Sequence, residues 1–125
     1  MWKEFVQEWM TAVFDAAGEV IQPEEQWIDS QGFTSATGVG QIPVITSGVH
    51  LLFETCKTKE GPWNIKSDNT PGATPGVSEQ YAGACFLTNA PDATNLNRFD
   101  RYIRWRITAS GAGSICFRNV MVFRA

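Results

Sequence analysis

The chain has 125 residues, 43% of them apolar, enough for one domain with one core. Charged residues make up 18% and the net charge is −3, which argues against bulk binding to nucleic acid or to an anionic membrane. No apolar run approaches the ~20 residues of a membrane-spanning helix, and no basic region precedes an apolar one as in a signal peptide, so synthesis in the cytoplasm is expected.

Residues 2–17 read as a short helix. Trp2, Phe5, Val6, Trp9, Val13 and Phe14 fall near one helical face, and Gly18 follows as a stop. A competing reading makes 11–21 a strand, on Val13, Phe14, Val20 and Ile21. The expected division is a helical arm over 1–22 and a β-domain over 23–125. Pro23-Glu24-Glu25 breaks the chain, and Gln26-Trp27-Ile28-Asp29 opens a strand. Residues 30–40, rich in Gly, Ser and Thr, read as a loop. In the short strand 42–45, Pro43 marks an edge or a bulge. Residues 49–55 alternate, with Val49, Leu51 and Phe53 on one face. Leu52, between His50 and Glu54, implies that the other face is partly covered.

Extended structure resumes at Pro62-Trp63-Asn64-Ile65, and a strand is expected over 81–88. Loops are expected over 67–76, which holds two Pro-Gly pairs, and over 89–97. The clearest strand is 99–108. Tyr102, Arg104, Arg106 and Thr108 point one way, and Ile103, Trp105 and Ile107 the other. After a turn at Ser110-Gly111-Ala112-Gly113, a second run follows over 115–123, so the end of the chain reads as a hairpin. Short strands at roughly ten-residue spacing predict an all-β chain: an antiparallel, jelly-roll-like β-sandwich with one short N-terminal helix.

Charge is unevenly placed. Residues 1–29 hold seven carboxylates against Lys3, and 98–125 hold six arginines against Asp100. The two ends can attract within one subunit or between neighbours. Cys56, Cys85 and Cys116 have no metal-site spacing, and an odd number does not complete a disulfide framework. They read as small buried hydrophobes in a reducing compartment.

No catalytic signature emerges. His50 is the only histidine, and Glu54, on the same strand face, lies about 13 Å along the strand. There is no nucleophile elbow, no phosphate loop and no metal-ligand spacing. Asp68 with Asn69, or Asp92 with Asn95 and Asn97, offers only a thin oxygen set for calcium. No cofactor and no metal are expected, and the chain reads as a non-enzyme.

The segment Arg101-Tyr102-Ile103-Arg104, its turn and the closing Ile115-Cys116-Phe117-Arg118 resemble the last strands of discoidin-type (galactose-binding-like) β-sandwiches. Trp27-Ile28-Asp29 resembles an early strand of that family. Leu51-Leu52-Phe53-Glu54-Thr55, Gly61-Pro62-Trp63 and the late Arg-Tyr-Ile-Arg strand are also similar to small virion proteins of tailed phages. These resemblances cover about a third of the chain. They imply either a virion or shell component (capsid, decoration or tail-associated) or a carbohydrate-binding module. For the first, the expected contacts are Trp2, Phe5, Trp9 and Phe14 of the N-terminal segment with Arg104 and Arg106. The expected partners are further copies in a homo-oligomer or other shell proteins, in an assembled particle. For the second, glycans would bind at loops 30–40, 67–76 or 89–97, with Trp63 or Tyr81 stacking on a sugar ring.

Overall fold

The computed structural model describes residues 2–33, 35–69, 80–88 and 99–125, with 35, 37–40, 66, 67, 69 and 80–88 described by backbone path alone. Within these residues the chain forms β1 (Trp2–Phe14), β2 (Gly18–Ile21), β3 (Ile28–Asp29), β4 (Ser35–Ile45), β5 (Val49–Cys56), β6 (Asn64–Asn69), β7 (Gln80–Thr88), β8 (Tyr102–Ala109) and β9 (Gly113–Arg124). A 3₁₀ turn at Glu24–Gln26 links β2 to β3. One sheet has the order β1-β9-β4-β7 and the other β2-β8-β5-β6, with β3 also on β8. All pairings are antiparallel. The fold is a β-sandwich.

The N-terminal helix is not present; residues 2–14 are a strand paired along β9. The register shifts between Gln7 and Met10, so Glu8 and Trp9 together oppose one residue of β9. Before this bulge Phe5 turns inward; after it Met10, Ala12 and Phe14 do. A period of two that changes phase puts apolar residues at positions 2, 5, 6, 9, 13 and 14. That set also fits a 3.6-residue period, which is why it resembled a helix. Residues 1–22 thus supply β1 and β2, and β2 pairs with β8.

Two further expectations are corrected. Residues 35–40 are not loop but the first half of β4, hydrogen-bonded to β7 on one side and β9 on the other. Pairing on both sides outweighs the low strand propensity of Gly38 and Gly40. β8 and β9 are not a hairpin, because they lie in opposite sheets. Their apolar rows meet face to face across the core, where the Trp105 and Phe117 rings pack edge-on at 5.4 Å. The bulge implied by Pro43 is present, as the β4–β9 register shifts between Gln41 and Val44.

The core lies between the sheets in two clusters. One gathers Ile42, Val49, Leu51, Phe53, Trp105, Ile107, Ile115 and Phe117. The other is built on Phe123, which is fully buried and ringed by Phe5, Phe33 and Phe99 at 5.4–5.8 Å. β8 alternates as expected, with Ile103, Trp105, Ile107 and Ala109 buried. At the turn into β5, Gly48 has φ +85°, and a Cβ there would lie 2.5 Å from Ser110 Oγ.

Candidate interaction surface

The expected site residues fall on three parts of the sandwich. The first is the outer face of the β2-β8-β5-β6 sheet. Glu54 of β5 sits opposite Arg104 of β8 in register and is 1% exposed. Its carboxylate accepts from Arg104 Nε at 2.7 Å and from Arg106 Nε at 3.3 Å. Arg106 also reaches Glu19 at 3.2 Å. The Arg104 guanidinium lies 3.9 Å from the Trp63 ring centre and 4.9 Å from that of Trp27, and the two rings meet edge-on at 5.0 Å. Trp27 Nε1 donates to the Gln22 carbonyl. Trp63 is therefore half-buried as the cover of an ion cluster. Leu52, Glu54 and Cys56 are buried on this face, so the inference that it is covered holds.

Charges from the two ends of the chain meet inside one subunit. Arg101 donates to both oxygens of Asp29, at 3.1 and 3.0 Å, and this holds the Asp29 carboxyl below the ordinary aspartate value. Arg106 meets Glu19, and Arg118 approaches Glu8 at 4.0 Å. His50 contacts Asp68 at 2.8 Å, which occupies the one histidine and the first of the calcium candidates. Tyr81 lies in β7, where only the backbone is described. Residues 70–76 and 89–97 of the expected glycan loops lie outside the described residues. Among the described residues, no three His, Cys, Asp or Glu side chains come together as a metal site. Nor, among the described residues, is any helix long and apolar enough to cross a membrane.

The second part is a cavity of about 130 Å³ between the sheets, beside the first half of β1. Phe5, Phe53, Ile103 and Trp105 line it, with the amides of Gln7 and Gln22. Those amides are already engaged. Gln7 Oε1 accepts from Trp105 Nε1 at 3.0 Å, and Gln22 Oε1 accepts from the Trp105 backbone N–H. Gln22 Nε2 donates to the Gln26 carbonyl. The cavity is a gap where the two core clusters meet, with its polar rim satisfied by protein.

The third part is the outer face of the β1-β9-β4-β7 sheet. The bulge splits the aromatic N-terminal segment between two faces. Phe5 and Phe14 pack on the core, whereas Trp2 is 66%, Trp9 54% and Val13 73% exposed. Val6 is exposed with them, as is Val44 on β4. Val120 and Val122, half-buried on β9, pair with Val6 and Glu4 of β1 and share their outward side. The sequence singles out Trp2 and Trp9 as candidate contacts, but not Val120 and Val122 beside them. Their signal is the alternation Val120, Val122 against Met121, Phe123. A face this apolar on a small domain marks a contact surface more often than free surface.

No family model matches the chain, nor does any curated protein. Among solved structures it is similar to a chain in the structure of infectious bursal disease virus, Gx strain. The likeness covers 98% of this chain, with a TM-score of 0.53 and 10% identity. The chain spans about a third of the length of that one, 32%. At this identity the likeness is one of fold: both contain a β-sandwich of this kind.

Proposed function

We propose that the protein is a non-catalytic building block of a virion-like shell, as a capsid, decoration or tail-associated component. The observation that carries this reading is the row of Trp2, Val6, Trp9 and Val13 left in solvent along one sheet edge. A long, proline-free strand with an apolar row facing solvent invites a partner, even with Glu4 and Glu8 set among the apolar side chains. β1 runs for 13 residues.

Two further observations support the reading. Among the described residues the chain crosses between sheets at most connections, and of the long strands described only β5 and β6 follow one another within one sheet. That is the wrapping of a jelly roll, an architecture that serves viral shells. The fold likeness is to a chain in a virus structure.

The test is negative-stain imaging of the purified chain across a concentration series. Rings, closed particles or filaments are the expected result. A preparation that holds only single 13.8 kDa chains at every concentration contradicts the reading.

A further inference from the structure

We infer that the outer face of β1 and β9 is a self-complementary surface, covered by the same face of a second copy of this chain. The inference rests on the shell reading and names the contact within it. The β1–β9 ladder sets the pattern of this face. Facing outward in register are Val6 with Val120, Glu4 with Val122, Thr11 with Cys116, and Val13 with Ser114. Glu8, at the bulge, has its carboxylate 4.0 Å from Arg118.

Two such faces stack about a two-fold axis that runs parallel to the strands, in front of the sheet, between β1 and β9. This operation lays each β1 residue over its own ladder partner in the other copy. Val6 then covers Val120, Glu8 meets Arg118, and Glu4 lies over Val122. No acid faces an acid. An axis over β1 itself would instead set Glu4 on Glu4 and Glu8 on Glu8, a like-charge contact. Charge therefore selects the axis between the strands, and the tryptophans supply large apolar anchors at the centre and one end.

The axis overlays β1 and β9 and leaves β4 at the rim. β1 is about 43 Å long at ~3.3 Å per residue, and two strands are about 10 Å wide at ~4.8 Å each. Each copy would cover roughly 400 Å², about 800 Å² for the pair, the size of a weak, concentration-dependent contact. Sheets packed face to face stand ~10 Å apart, and the Val and Trp side chains here fill much of that layer, with Glu8 and Arg118 paired across it.

The test is sedimentation equilibrium of the whole chain and of variants on the outward positions, with thermal midpoints measured alongside. The native chain is expected to associate in pairs. Trp9→Glu should weaken association by at least about tenfold. Glu8→Arg and Arg118→Glu should each weaken it by about tenfold, and the two together should restore most of it. Thermal midpoints should stay close to the native one, because the altered side chains lie outside the core. Val13→Lys is the second probe of the apolar row, should Trp9→Glu fail to fold. A monomer at every concentration overturns the inference. So does association that Trp9→Glu or Val13→Lys leaves unchanged, or a double swap that fails to restore it. The shell reading is judged separately. Large particles unaffected by these variants uphold that reading and overturn the face-to-face contact. A pair abolished by them, with nothing heavier than two 13.8 kDa chains in the native protein, upholds the contact and contradicts the shell.

Discussion

Arg104 Nε lies 2.7 Å from Glu54 Oε1, and the carboxylate it meets is 1% exposed. One buried acid thus bridges two arginines of β8, since Arg106 reaches its other oxygen, and Glu19 supplies the second negative charge. The two tryptophans over Arg104 keep water from the pair. This assigns Arg104 and Arg106 an internal role.

Glu54→Gln should therefore destabilise the fold strongly. Removing one partner of a buried pair costs about 3–5 kcal/mol. Here about 2–3 kcal/mol is expected, because Arg106 keeps Glu19 and some solvent contact. Urea unfolding checks this. A midpoint within error of the native one would show that the cluster does not hold β5 to β8.

Phe123→Ala should cost about 3–5 kcal/mol, as for other large aromatic truncations in a core. Phe123 is fully buried, with three aromatic neighbours fixed on other elements, so the site has little freedom to collapse. Denaturant unfolding with an unchanged slope is the expected signature. A loss below about 1 kcal/mol would mean that the second core cluster repacks freely.

Gly113→Ala should destabilise by about 1–3 kcal/mol through overpacking. A Cβ at this position would lie 2.4 Å from Thr46 Oγ1 and 2.9 Å from Val49 Cγ2, at the start of β9. Thr46 Oγ1 also accepts from the Ser114 N–H at 2.8 Å, so it cannot simply move away. Thermal unfolding reads the effect. An unchanged midpoint would show that the turn yields.

Legibility followed the regularity of each strand. β8 could be read because its alternation runs unbroken from Tyr102 to Ala109. The N-terminal segment was misread because one bulge at Glu8 and Trp9 imitates the helical period. β4 was half-missed because glycines in a strand paired on both sides carry no apolar signal. The apparent C-terminal hairpin was wrong because two amphipathic strands can meet by their faces as well as by their edges. The two charged ends were legible in composition, but not their pairing, which depends on Asp29 and Arg101 being neighbours in space. The exposed apolar row was half-visible: its tryptophans stood out, whereas their separation from Phe5 and Phe14 required the strand.

Asp29 should titrate below the ordinary aspartate value in the folded chain, chiefly because Arg101 donates to its carboxylate. Its pKa is depressed on folding, so its contribution to stability is present above the unfolded value. That contribution is lost as pH falls through the folded one, below about pH 4. A carboxyl-detected NMR titration checks the direction. Asp29→Asn should flatten this part of the acid limb. A folded Asp29 titrating at or above the value in the unfolded chain would contradict the pairing with Arg101.

The most direct measurement of the central claim is the solution mass of the native chain, by light scattering after size exclusion, as concentration is raised. The exposed row of Trp2, Val6, Trp9 and Val13 predicts species at even multiples of 13.8 kDa that grow with concentration. A mass that stays at 13.8 kDa throughout would contradict self-assembly through this face.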